Sequence, residues 1–570
     1  MDSRGNGTTS AVELLVDCLG LNNNNNDQIS DDHRPVVFVG PYEHHSNLIP
    51  WRESGCEIVM IPESQQTQDV DFQYLETMLQ LPKYSNRTKL GTFTAASNVT
   101  GKICDVNKVA AILHKYNSLA FFDYATGASY LPMDMNPPPS GEYSAADIAK
   151  DAIFLSPHKM IGGINTPGIL ILKKHLVNQT NAPSRSGGGT VFYVTHTHHR
   201  FLSNRIERYE GGTPNVIGIM RAGLTFLFKR KIEARYKQSI ESIDFRDSGN
   251  AVPKSIVDYD CWTYRHVVET LSRTAPNIVF LGHQGNESVK TQNLPIFSFL
   301  IKCGHRFLHY NYVCAILNDL FGIQSRGGCQ CSGPYSQHLL GLTTIQNGKE
   351  VPSQANEAIE NALLLYKERA ELLRPGYTRL SLPFKGLQSE EVEYVIKALE
   401  WVAKHAWALI CQYRCNHRTG EWRHFSRQGK PLGRTERRWL SHYDMTRSKK
   451  QVRIRNGTDL KTILKNAFIN ANYQLNIARS ENSYIMQALK MSDDNEILNG
   501  DEDLENLRWY VYPKECAKIL KQGLSVVPDT YSKELLGGIS PNSTSQIIVD
   551  IDATIMNGKI AFMKLTFSYY

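Results

Sequence analysis

The sequence predicts an α/β fold: a mostly parallel sheet with helices on both faces, followed by a smaller α+β region. Three observations carry this expectation. Short apolar runs bounded by polar turns recur through the first half of the chain. Segments with helical periodicity alternate with them, the pattern of strand–helix–strand units. The chain has 570 residues, enough for about two to four domains.

Taken in order, Ser10–Glu13 fits a capping box, and Val12, Leu15, Val16 and Leu19 give a first helix its apolar face. Just before it lies Gly5-Asn-Gly-Thr-Thr9. Glycines and hydroxyls at a helix N-terminus suit an anion, because free N–H groups and the positive dipole end point there. Asn22 to Asn26 is a polar insert. Val36–Val39, Ile58–Ile61, Leu119–Asp123, Ala152–Leu155 and Gly168–Leu172 read as strands, and Asp71–Leu81 and Val106–Tyr116 as helices. Farther on, Leu294–Ile301 reads as a strand and Ser353–Leu373 and Ser389–His405 as helices. The last part predicts a helix at Asp459–Arg479 and strands at Ile547–Ile551 and Ile560–Leu565. This divides the chain into a large domain (1–240), a small α+β domain (241–410) and a C-terminal extension (411–570).

Hydrophobic residues make up 41% and charged residues 21%, an ordinary globular balance. No long apolar run suggests a membrane span, and Met1–Gly7 has neither a signal core nor an arginine-rich stretch, so a cytoplasmic location is expected. The 11 cysteines, without a secretory signal, read as free thiols. The net charge of +7 is unevenly placed: residues 414–455 are basic, residues 493–505 acidic. No nucleic-acid motif accompanies the basic stretch, so it reads as a solvated surface. Cys411, Cys415 and His417 form only a weak metal pattern, and no metal is expected.

The chemistry concentrates at Asp123 and at Ser156-Pro-His-Lys159. Each follows an apolar run, and ligands in open α/β sheets bind beyond the carboxyl ends of strands. An acid at one such end and a lysine at the next is the arrangement that pyridoxal 5′-phosphate (PLP) needs. The lysine forms an imine with the aldehyde, and the aspartate keeps the pyridine nitrogen protonated. Four further segments fit such a site: the Gly-Thr-Thr turn, Glu43-His-His-Ser-Asn47, Ser97-Asn-Val-Thr-Gly101 and Glu210-Gly-Gly-Thr-Pro-Asn215.

With Gly187-Gly-Gly189, these segments occur in an order that resembles class V PLP-dependent aminotransferases, most closely the cysteine desulfurase and selenocysteine lyase branch. The resemblance covers roughly residues 5 to 385. It implies a fold-type I architecture with a seven-stranded sheet and a homodimer with shared active sites. Lys159 would be the Schiff-base lysine and Asp123 the pyridinium partner. His44 would stack on the ring, and Asn98 would lie near the phenolic oxygen. Thr9, Ser156 and His158 would bind phosphate, with Gly7 and Thr8 shaping that loop, and Thr213 would reach the phosphate of the other protomer. Thr126 stands where the family usually has glutamine, a hydroxyl with shorter reach. The family usually carries a further helix and strand ahead of the phosphate loop, so the N-terminus reads as truncated.

The reaction turns on Gln324-Ser-Arg-Gly-Gly-Cys-Gln-Cys-Ser332 and on Arg379. In desulfurase-like members a cysteine on a mobile small-domain loop attacks the substrate sulfur, leaving a persulfide on the enzyme and releasing alanine. Such a thiolate needs an exposed, flexible, partly positive loop. Cys331 aligns best with that nucleophile, Cys329 being a spare or resolving thiol, and Arg379 matches the arginine that clamps the substrate carboxylate. Removal of sulfur or selenium from cysteine or selenocysteine is the expected reaction, with a sulfur-acceptor protein as a partner. Another class V activity such as transamination, or a catalytically weak protein with an interaction role, are the competing readings.

Overall fold

The computed structural model describes residues 7–21, 33–64, 66–177, 182–240, 255–283, 292–346, 349–365, 370–382, 389–427, 460–490, 507–524, 527, 548–550 and 564–566. Gly5 and Asn6, the Asn22–Asn26 insert, the acidic run at 493–505 and most of the basic stretch lie outside them.

Helix α1 (Thr8–Cys18) leads into a sheet of β1 (Val36–Val39), β2 (Glu57–Met60), β3 (Lys89–Thr94), β4 (Ser118–Asp123), β5 (Ala152–Leu155) and β6 (Ile169–Leu172). Helices α2 (Ile49–Glu53), α3 (Phe72–Leu79) and α4 (Val106–Lys115) connect its strands. The strand order is β2-β1-β3-β4-β5-β6. All neighbours are parallel except β5 and β6. The described residues thus give six strands where the resemblance implies seven. The short β5–β6 connection holds no crossover α-helix, so the chain must return antiparallel.

Strands β1, β3 and β5 are buried at every residue, as expected where a sheet is covered on both faces. One face packs on α1 through Ala11, Val12 and Leu15. The other packs on the main core through Phe38, Phe93 and Phe122. The capping box expected at Ser10 is not formed. The helix begins three residues earlier, after Gly7 at φ +72°, and the Thr8 N–H finds its acceptor on Ser156. The α3 and α4 starts follow the sequence closely: Asp71 accepts from the Tyr74 N–H and Asp105 from the Lys108 N–H, each capping an orphan donor.

A hairpin of β7 (Val191–Val194) and β8 (His199–Phe201) precedes helices α5 (Val216–Ile240) and α6 (Ile256–Thr274). A second, antiparallel sheet contains β9 (Ile278–Phe280), β10 (Ile296–Cys303), β11 (Arg306–Leu308), β12 (Arg326–Gly328) and β15 (Tyr377–Ser381). Its order is β11-β10-β15-β12, with β9 also paired to β10. Around it lie α7 (Tyr310–Phe321), α8 (Gly333–Leu339), the β13–β14 hairpin (Thr343–Gln346 and Lys349–Pro352), α9 (Gln354–Leu365) and α10 (Ser389–Leu409). The expected helix at Ser353–Leu373 is thus α9 followed by a separate 3-10 turn at Glu371–Leu373.

Segments beyond residue 410 pack onto this sheet. The β16–β17 hairpin (Tyr413–Asn416 and Glu421–His424) rests on α7, and α11 (Leu460–Ser480) lies against α7 and α10. Helix α12 (Asn482–Lys490) packs on the helix Pro513–Lys521. Residues 509–511 extend the sheet edge: Phe307 N–H donates to Trp509 O at 3.1 Å and Val511 N–H to Phe307 O at 3.0 Å. Glu515 is buried between Arg306 and Arg508. Burial opposes its ionisation, yet the two guanidiniums hold its pKa down at about 2. Of the strands expected near the C-terminus, Ile548–Asp550 and Lys564–Thr566 pair antiparallel. Among the described residues no helix is long and apolar enough to cross a membrane.

Candidate active site

The sheet order reverses between β1 and β3, so a crevice opens at their carboxyl ends. The chain delivers its polar motifs there from four strands: Glu43–Asn47 after β1, Ser97 and Asn98 after β3, Asp123 at the end of β4, and Ser156–Lys159 after β5.

Ser156 joins the β5 loop to the first helix. Its Oγ accepts the Thr8 N–H at 2.8 Å and lies 2.7 Å from Thr8 Oγ1. Gly7 is needed at this junction, for it has a positive φ, and a Cβ on it would lie 2.3 Å from His158 Cε1 and 2.6 Å from Ser156 Oγ. Gly168 supports the same turn, since a Cβ there would lie 2.0 Å from Gly7 O. This is a tight cradle of hydroxyls and helix-terminal N–H groups, the donor set that a phosphate takes. Thr9 lies one step aside, its Oγ1 2.7 Å from Ser46 Oγ.

Asp123 is buried at 2% exposure and accepts the Ala125 N–H at 2.6 Å. Burial raises its pKa to about 6, against the pull of nearby Lys159. Lys159 is exposed to solvent. Protein nevertheless encloses it closely enough that desolvation lowers its pKa, with Arg379 and Arg326 adding to that shift and Asp123 opposing it. His44 caps the 3-10 turn at His45–Asn47, its Nδ1 accepting the Ser46 N–H at 3.1 Å. Burial, then the charge of Lys159, holds its pKa at about 4, so the imidazole is neutral near pH 7. A neutral ring, a buried carboxylate, a desolvated lysine and a phosphate cradle fit PLP. Thr126 is half-buried just past Asp123, ahead of the 3-10 turn Gly127–Ser129.

The second sheet supplies the other wall. Arg326 on β12 and Arg379 on β15 are register partners. Both act electrostatically on Lys159 and His44. Arg379 Nη1 donates to Asn98 O at 2.8 Å, and Arg326 Nη2 lies 3.9 Å from Cys331 Sγ. Cys331 is within electrostatic reach of Lys159 and Arg379. Cys329 has other neighbours: it acts on Tyr310, Tyr377 and Arg374. The two thiols therefore have different neighbours, and Cys331 is the one at the crevice.

The Cys loop is less exposed than expected. Both cysteines are half-buried, and the loop is tied to the first sheet. His45 N–H donates to Cys331 O at 2.8 Å, and Gly333 N–H donates to His45 Nε2 at 2.8 Å. Asn98 Nδ2 donates to Gln330 O at 2.9 Å, and Asn98 Oδ1 accepts from Ser332 Oγ at 2.7 Å. Both ends of the Asn98 amide are thus engaged with the loop in this structure. The motif spacing did not reveal this clamp. Its signals were the second histidine of Glu-His-His and the Ser after Cys331.

Sequence reasoning also passed over Glu43. It is buried, accepts from Thr94 N–H at 2.6 Å and Asn47 Nδ2 at 2.5 Å, and is raised by burial to about 8. Asn47 in turn accepts from Trp51 Nε1 and Thr92 Oγ1, fixing the β1 loop to β3. Thr213 is exposed on a turn whose Gly212 N–H donates to Gly188 O at 2.7 Å. Among the described residues no hydrogen bond joins it to the Lys159 cluster. Cys411 donates to Pro513 O and, like Cys415, is raised by burial to about 12. Among the described residues no group of three potential metal ligands occurs.

The α/β fold and the residues gathered at the crevice fit a PLP-dependent enzyme. Residues 6–244 match the family model for aminotransferase class-V, and the chain is similar to cysteine desulfurases. A cysteine desulfurase of Klebsiella pneumoniae is 24% identical over 332 residues, which are 58% of this chain and 68% of the relative. One from Synechococcus elongatus is 27% identical over 230 residues, 40% of this chain and 33% of the relative, so the chain spans about a third of that protein. Among solved structures, the apo cysteine desulfurase of Thermococcus onnurineus aligns over 70% of this chain and 78% of its own, with TM-score 0.47 and 20% identity. A cysteine desulfurase from Escherichia coli covers 69% and 77%, with TM-score 0.46 and 18% identity.

Proposed function

We propose that this chain removes sulfur from L-cysteine, or selenium from selenocysteine, yielding alanine and a persulfide on Cys331. The observation that carries this reading is the position of Cys331 beside Lys159, Arg379 and Arg326 at the crevice. A transaminase has no use for a thiol there, whereas attack on the substrate sulfur needs one.

PLP, when bound, supplies an electrophilic aldehyde and an electron sink. Gly7, Thr8, Thr9, Ser156 and His158 would hold its phosphate, and Asp123 the proton on its ring nitrogen. His44 would stack on the ring, with Asn98 and Thr126 near its oxygen. Lys159 would hold the cofactor and would move a proton at the substrate α-carbon. Its lowered pKa suits it to accept one. Arg379 orients the substrate carboxylate. The Cys331 thiolate attacks the substrate sulfur. The carbon–sulfur bond breaks with its electron pair staying on carbon, which protonation turns into the alanine methyl, and the sulfur remains on Cys331 as the persulfide.

A second copy of the chain belongs to this reading. Phe192, Tyr193 and Val194 on the hairpin and Ile217, Met220 and Leu224 on α5 are exposed, an apolar face that a homodimer would cover. Thr213 would then serve the other protomer's phosphate. A sulfur-acceptor protein and a cytoplasmic location complete the proposal.

The test is product analysis. The PLP-loaded protein incubated with L-cysteine should give alanine and sulfide in the presence of a reducing thiol. A 2-oxo acid in place of alanine would establish the transaminase reading and end this one.

A further inference from the structure

Residues 329–332 form a tight turn. Ser332 N–H donates to Cys329 O at 3.2 Å, and both central residues, Gln330 (φ +58°) and Cys331 (φ +59°), are left-handed. This is the type I′ pattern, which glycine and asparagine normally occupy. A β-carbon there costs roughly 1–2 kcal/mol per residue. The surroundings hold the turn in place: Asn98 and His45 clamp its carbonyls, and Ser336 Oγ donates to Cys329 O at 2.8 Å. Strain kept by so many contacts points to a function for the turn.

The turn brings its two cysteines close while aiming them at different surroundings. So tight a turn keeps positions i and i+2 roughly 5–6 Å apart at Cα, inside the span over which two cysteine sulfurs can meet. Cys331 acts on Lys159 and Arg379 at the crevice. Cys329, half-buried like Cys331, acts on the buried Tyr310 and Tyr377 and on Arg374, whose side chain, paired with Glu371, is half-exposed. Beside Cys329, Gly328 has open space where a Cβ would stand.

We propose that Cys331 and Cys329 form a sulfur relay within one turn, Cys331 receiving the sulfur beside Lys159 and Cys329 passing it on. This rests on the desulfurase reading above. The Cys329 thiolate attacks the outer sulfur of the Cys331 persulfide. The bond between that sulfur and Cys331 Sγ breaks, and Cys331 leaves as a thiolate: Cys331–S–SH plus Cys329–S⁻ gives Cys331–S⁻ plus Cys329–S–SH. One sulfur atom moves with its proton, and no oxidant or reductant is consumed. The acceptor's thiol then need not enter the crevice, and Cys331 is ready for the next substrate.

The test is a persulfide map of the full chain, loaded with PLP, mixed with L-cysteine, quenched at intervals, alkylated and analysed by mass spectrometry. The expected result is label on Cys331 first and on Cys329 afterwards. In Cys329→Ser and Cys329→Ala the label stays on Cys331, and its discharge to dithiothreitol slows by about tenfold. Label confined to Cys331 at every time in the unaltered protein overturns the relay while leaving the desulfurase reading intact. So does a Cys329–Cys331 disulfide formed with release of sulfide, or discharge from both variants at the unaltered rate. Absence of both alanine and persulfide overturns the two together.

Discussion

The two walls of the crevice are built differently. The Asp123–Lys159 wall rises from the ends of parallel strands, and each of its residues is positioned by its own strand and the next turn. The Cys331 wall is a strained turn held by partners far away in sequence: Asn98 and Gln330 are 232 residues apart, His45 and Gly333 288. The first wall is a property of the fold, and the second of an agreement between two sheets. The difference predicts that cofactor retention and reaction choice can be broken separately.

The largest effect should come from Lys159→Ala, which removes the lysine from the first wall. Turnover should fall by about 10²–10⁴-fold or more, with loss of the protein's yellow colour. Cys331→Ser should strike the second wall alone, abolishing persulfide while leaving the cofactor's visible absorbance in place. If colour and persulfide vanish together in Cys331→Ser, the walls are not separable. Arg379→Lys should raise KM by about tenfold or more, because a lysine cannot make the bidentate pair, with little change in cofactor absorbance.

Asp123 gives a pH test of the first wall. Burial raises its pKa to about 6 in the folded chain, from an ordinary value of about 4. The folded state therefore favours the protonated acid. Its stabilising contribution is full below about pH 4 and is lost as pH rises through about 6. Asp123→Asn should accordingly raise the Tm of the cofactor-free protein at about pH 8 and leave it unchanged near pH 4, while weakening PLP retention. Equal Tm values across that range would contradict the burial argument. The smallest effect belongs to His45→Ala. Losing one acceptor for the Gly333 N–H should cost about 0.5–1.5 kcal/mol in Tm-derived stability.

This contrast also explains what could be read from the sequence. The strand at Val36–Val39, the helix at Val106, and Asp123 and Lys159 at strand ends were legible because each is a local pattern: apolar run, capping residue, polar turn. Gly7 was legible for the same reason, being the kind of residue a helix-terminal cradle demands. The clamp on the Cys loop was not legible. His45 and Asn98 become its partners only when the second sheet closes on the first, and two left-handed residues at Gln330 and Cys331 contradict their own preferences. The separate surroundings of Cys329 and Cys331, two positions apart, follow from that turn.

The most direct test is a single turnover. PLP-loaded protein and its Cys331→Ser variant are each mixed with one equivalent of L-cysteine, and alanine is measured. The account predicts about one alanine per site from the unaltered protein, with sulfane sulfur on the 326–332 loop, and none from the variant. Equal alanine from both would contradict it.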